Sequence, residues 1–155
     1  MDKQQVFKGD YVNSGARGIR NNNPGNIRHG SSKWQGLDSV QKDDKFCTFI
    51  DVYYGVRALM KLLQTYGRQK GKPNIGCDKI DTVEEIIERW APSSDNNHTE
   101  NYIKRVCKET GFERHECLNL HDKSTSIKMA KAIVHVENGQ QPYVDDVFER
   151  AFALI

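Results

Sequence analysis

The glutamate in AIVHVENGQ, residues 132–140, is the group in this chain whose position most favours acid chemistry. Ala130, Ile133 and Glu137 stand at i, i+3 and i+7 of a helical repeat, so the carboxyl continues an apolar stripe instead of a wet face. The following Asn138-Gly139 predicts a left-handed helix terminus. Glu137 then falls in the last turn, where the backbone dipole disfavours another negative charge. Dipole and partial burial both act to raise its pKa, the tuning a general acid needs near neutral pH. The ordinary alternative is a solvated glutamate at a frayed helix end.

A second cluster lies in RNNNPGNIR, residues 20–28. The amides of Asn22, Asn23 and Asn26 offer donors and acceptors that suit sugar hydroxyls and N-acetyl groups, and Pro24-Gly25 fixes the turn between them. The competing reading is that these amides bond their own loop. Asp95, Asn96 and Asn97 are either cap and turn residues or a second polar wall. Trp34 and Trp90 could stack on sugar rings, although Trp90 falls on a core stripe. The five histidines are scattered, and neither GxGxxG nor GxxxxGK[ST] occurs.

Helices must position these groups. Val56, Leu59, Leu63 and Tyr66 form one apolar stripe, with Gly67 and Gly71 beyond it as terminators. Thr82 with Glu85 is a capping-box pattern ahead of Val83, Ile86, Ile87 and Trp90, and Pro92 stops that helix. Tyr102, Ile103, Val106 and Cys107 predict a helix closed by Gly111. Another starts near Ser124, with Met129, Ala130, Ile133 and Val136 inward, and a last amphipathic segment holds Val147, Phe148, Ala151, Phe152 and Ile155. The segment around Val40 and FCTFI, 46–50, is β-branched and aromatic enough for a short hairpin. The expectation is a mainly α chain with a small β-hairpin, without internal repeats.

Composition bounds the partners. Residues 1–37 carry six basic and two acidic groups, residues 137–155 four acidic and one basic, and the net charge of +2 leaves no footprint for nucleic acid. No apolar run reaches the roughly 18 residues of a membrane span, and MDKQQVFKGDYVNSG lacks the apolar centre of a signal peptide, which predicts synthesis without export by the general route. Cys47, Cys77, Cys107 and Cys117 have no CxxC pair and no histidine at ligand spacing, arguing against structural zinc. Buried free thiols are the ordinary reading; a disulfide such as Cys77 with Cys117 is open to a chain working in an oxidising space.

Taken together, RGIRNNNPGNIR (17–28), Trp34 and Gly36 as WxG, Phe46, Phe49, Gly55, Arg57 and Ala58, and the stretch Arg89 to Tyr102 resemble the lysozyme-like peptidoglycan-degrading proteins of phage virions and prophages. The layout is also similar to glucosaminidase-type hydrolases, with NNPGNIR in the place of their asparagine loop. The resemblance covers roughly residues 17–145. It implies an N-terminal tail, 1–16, and a single lysozyme-like domain, 17–155, that cleaves or grips the glycan strands of peptidoglycan without metal or cofactor. One departure is informative: relatives place a catalytic glutamate before the asparagine loop, and this chain has none there. AIVHVENGQQPY resembles that missing helix end, as if a circular permutation had moved it to the C-terminus, with Glu137 as the acid. Asn22, Asn23, Asn26, Asp95, Asn97 and Tyr102 would then bind substrate, and Asp95 or Asp51 would be candidates for a second carboxylate. The alternatives are a non-catalytic peptidoglycan-binding virion protein and a peptidoglycan endopeptidase. Other virion or secretion-apparatus proteins would be partners, the cell wall or periplasm the place of action.

Overall fold

A computed structural model describes residues 5–95 and 97–155. The chain is mainly helical: α1 Arg17–Arg20, α2 Val52–Tyr66, α3 Val83–Trp90, α4 Thr99–Thr110, α5 Lys123–Asn138 and α6 Asp145–Ala153, with a 3-10 turn at Ser93–Asp95. It divides into two compact units, one made of residues up to Leu59 together with Ile133–Ile155, the other of Met60–Ala132. Among the described residues no helix is long and apolar enough to cross a membrane.

In the first unit, Ile19, Ile27, Phe49, Val52, Val56, Leu59, Ile133, Val134, Tyr143, Val147, Phe148 and Ala151 are buried. The expected hairpin is present only as isolated antiparallel bridges, Arg28 to Phe46 and Leu37 to Phe49, each closed by two backbone bonds: Cys47 N–H to Ile27 O with His29 N–H to Lys45 O, and Asp38 N–H to Thr48 O with Ile50 N–H to Gly36 O. Val40 and Ile50, read as strand residues, are 70% and 58% exposed. Ahead of α1, the Lys8 N–H donates to Pro142 O at 2.7 Å and the Val144 N–H to Val6 O at 2.9 Å, while Phe7 stacks between Tyr11 and Tyr143. This part of the N-terminal segment is thereby tied to the residues that follow α5.

The second unit buries Met60, Leu63, Ile80, Val83, Ile86, Ile87, Ile103, Val106, Leu120, Met129 and Ala130, so the stripes expected on four helices are the ones that form its core. α4 ends at Gly111 in the left-handed conformation, φ +80°, which a residue without Cβ adopts at no steric cost. Cys77 and Cys117 are joined by a disulfide, whereas Cys47 and Cys107 are free. The Asp81 carboxyl lies beside the Cys117 sulfur, a grouping of potential metal ligands in which both sulfurs are committed to each other.

Candidate functional site

Glu137 stands in the last turn of α5 and is half-buried. The helix stops where the sequence says it should: Asn138 is its last residue and Gly139 turns left-handed at φ +71°. The Asn26 side-chain amide donates to Glu137 Oε1 at 3.0 Å, a bond between residues 111 positions apart. The asparagine loop and the C-terminal helix end, separate candidates in the sequence, are therefore one site.

The loop is held by its own amides. Pro24-Gly25 makes the turn, closed by the Asn26 N–H donating to Asn23 O at 2.9 Å, and Asn26 itself is left-handed, φ +52°, a conformation asparagine tolerates. Asn23 is wholly inside, 0% exposed: its amide donates to Ile27 O and Cys47 O and its carbonyl accepts from the Ile27 N–H. It cannot reach a sugar, because it is closed to solvent and its bonds are taken up by Ile27 and Cys47. Asn22, half-buried at φ +51°, donates to Phe49 O at 3.1 Å. Its carbonyl lies so close to Gly55 that a Cβ there would come within 2.0 Å, which explains a glycine inside α2.

Four contributors were not legible as site residues. Asn21, buried, donates to Asp43 Oδ2 and accepts from the Thr48 hydroxyl. Asp43 takes a two-pronged bond from Arg17, Nε to Oδ2 at 2.7 Å and a terminal nitrogen to Oδ1 at 2.6 Å. That guanidinium, with the backbone N–H groups of Phe46 and Lys45, holds the Asp43 carboxyl well below the usual carboxylate range. Asn138 donates to Pro24 O at 2.7 Å and to Val134 O at 2.8 Å, joining helix end to loop. In the sequence it carries only the signal of a helix stop. Gly18, inside α1, meets Asn138 Oδ1, Asn26 Oδ1 and Asn23 O at 2.6, 2.9 and 2.9 Å from where a Cβ would stand.

The remaining candidates are placed differently. Asp51, half-buried, accepts from the Tyr53 N–H at the start of α2, the work of a cap. Asp95, Asn97 and Tyr102 belong to the second unit. Asp95 is exposed on the 3-10 turn, Asn97 donates to Pro92 O at 3.1 Å, and Tyr102 is buried on α4. Asn96 lies outside the described residues. Trp90 packs edge-on to Tyr66, as its stripe position suggested.

No protein-family model matches the chain. Over 144 residues, covering 91% of this chain and 82% of the other, it is 37% identical to Protein P5 of Pseudoalteromonas phage PM2.

Proposed function

We propose that this chain, which belongs to the family of that phage protein, Protein P5, cleaves the glycan strands of peptidoglycan, with Glu137 as general acid. The observation that carries the reading is the Asn26 to Glu137 bond: the loop that resembles the asparagine loop of cell-wall hydrolases holds a carboxyl supplied from the other end of the chain. A permuted acid requires such a meeting.

Glu137, protonated, donates to the glycosidic oxygen as the bond to C1 breaks through an oxocarbenium-like state. The electron pair of that bond leaves with the protonated oxygen. In the single-acid route the muramic 6-hydroxyl closes on C1 and gives its proton to the Glu137 carboxylate, leaving a 1,6-anhydro end. In the hydrolytic route a water takes the place of that hydroxyl and the product ends in a reducing sugar. This chemistry calls on no metal or organic cofactor.

Mass spectrometry of soluble fragments released from purified peptidoglycan, by the wild type and by Glu137→Gln, tests the proposal. Release of disaccharide-peptides by the wild type alone is expected, and the end group separates the two routes. Equal release by both proteins sinks Glu137 as the acid. Retention on insoluble peptidoglycan without release by either would make the protein a glycan-gripping component, and cuts in the peptide an endopeptidase.

A further inference from the structure

We infer that the asparagine loop acts on the acid and not on the sugar: Asn26 is a positioning residue that orients the Glu137 carboxyl, and Gly18 and Asn138 hold Asn26 in place. The inference rests on the glycan-cleavage reading above.

The backbone of Asn26 is fixed by the Asn23 turn bond and by its left-handed φ. Its side-chain amide is anchored at one end, on Glu137. With Nδ2 on Glu137 Oε1, Asn26 Oδ1 is buried without a hydrogen-bond partner and lies 2.9 Å from where a Cβ on Gly18 would stand. Rotating the amide by half a turn would break the N–H bond to Glu137 Oε1. Asn138 repeats the arrangement: its Nδ2 bridges Pro24 O and Val134 O, and its Oδ1, also buried and without a partner, lies 2.6 Å from the same Cβ position. Three oxygens thus crowd a position that only glycine leaves open.

The chemistry follows from which oxygen is engaged. An N–H on Oε1 makes that atom an acceptor, so the acid proton sits on Oε2, and the carboxyl plane is set before substrate arrives. When the proton passes to the glycosidic oxygen, the same N–H stays bonded and becomes a charge-assisted bond to the carboxylate. An asparagine that bound sugar would act on substrate affinity. One that orients the acid acts on turnover.

Steady-state kinetics on soluble, uncross-linked glycan strands would be measured for wild type, Glu137→Gln, Asn26→Asp, Asn26→Gly and Gly18→Ala, with thermal unfolding of each. Aspartate and glycine both accept a positive φ, so either variant keeps the experiment alive if the other is misfolded. The expected result is kcat about 10- to 100-fold lower for both Asn26 variants with KM changed less than about twofold, and a loss in the same parameter for Gly18→Ala. With Glu137→Gln inactive, a raised KM and unchanged kcat in the Asn26 variants would overturn the positioning role and leave the cleavage reading standing. Full activity of Glu137→Gln, or none in the wild type, would overturn both.

Discussion

At the scale of the residue, four asparagines from one short loop do four different things. Asn21 bonds a carboxylate, Asn22 a backbone carbonyl, Asn23 the inside of its own turn, and Asn26 the candidate acid. Composition and spacing could nominate the group but not sort it, since each role depends on which partner folding brings within about 3 Å. Burial ranks their worth to stability. Asn23→Ala removes three bonds in a site closed to water and leaves the Ile27 and Cys47 carbonyls without that donor. It should lower unfolding free energy by about 2–4 kcal/mol, measured as a shifted urea midpoint at unchanged slope. Asn22→Ala, with one bond at a half-buried position, should cost about 1 kcal/mol. Glu137 was legible through its inward phase at a helix end; Gly18 was not, because its glycine is explained only by the oxygens around it.

At the scale of the element, the sequence rules for helices work where they describe local chemistry. α3 begins at Thr82, whose hydroxyl accepts from the Glu85 N–H at 3.2 Å as the capping pattern requires. The reciprocal half is replaced: the Glu85 carboxylate takes the Thr82 hydroxyl at 2.8 Å and the Lys72 N–H at 2.6 Å, so it ties the preceding loop to the helix. Thr82→Ala should cost about 1–2 kcal/mol in chemical unfolding. Glu84, in the same first turn, accepts from Arg114 at 2.7 Å, with His115 and Lys72 close by; burial opposes its charge, and these three donors outweigh burial and hold its pKa at about 2. Arg114 is also clasped by Glu100. A carboxyl depressed in the folded state contributes stability above its unfolded pKa and loses it as pH falls. The network's share, about 1–2 kcal/mol once screening of its partly exposed basic partners is discounted, should disappear between roughly pH 4.5 and 2. Acid titration of stability should show that slope in the wild type, and Glu84→Gln should flatten it. α6 ends at Ala153, which leaves Ile155, expected on the inward face, 40% exposed.

At the scale of the whole molecule, covalent and chain-level features matter most. The Cys77–Cys117 disulfide spans 40 positions inside the Met60–Ala132 unit. Restricting the unfolded chain over that span stabilises the fold by about 3–4 kcal/mol. Calorimetry with and without reductant, and on the Cys77→Ser, Cys117→Ser double variant, should show matching losses of melting temperature. The remaining thiols, Cys47 and Cys107, are pushed up in pKa by burial and should react slowly with thiol reagents in the native state. The sequence named this cysteine pair only as an example, since pairing depends on which loops meet.

What the sequence by itself determined is the helical class, the apolar stripes, the left-handed stops at Gly111 and Gly139, and the two polar clusters worth inspecting. Those properties arise from interactions within four or five residues, where type and spacing dictate the physics. What only the tertiary structure decided is the meeting of Asn26 with Glu137, the inward turning of Asn23, the disulfide, and the dissolution of the expected hairpin into single bridges. Each joins segments distant in the chain or measures a local preference against its surroundings. A side chain's partner across 111 residues depends on how every intervening element packs, and no local rule encodes that.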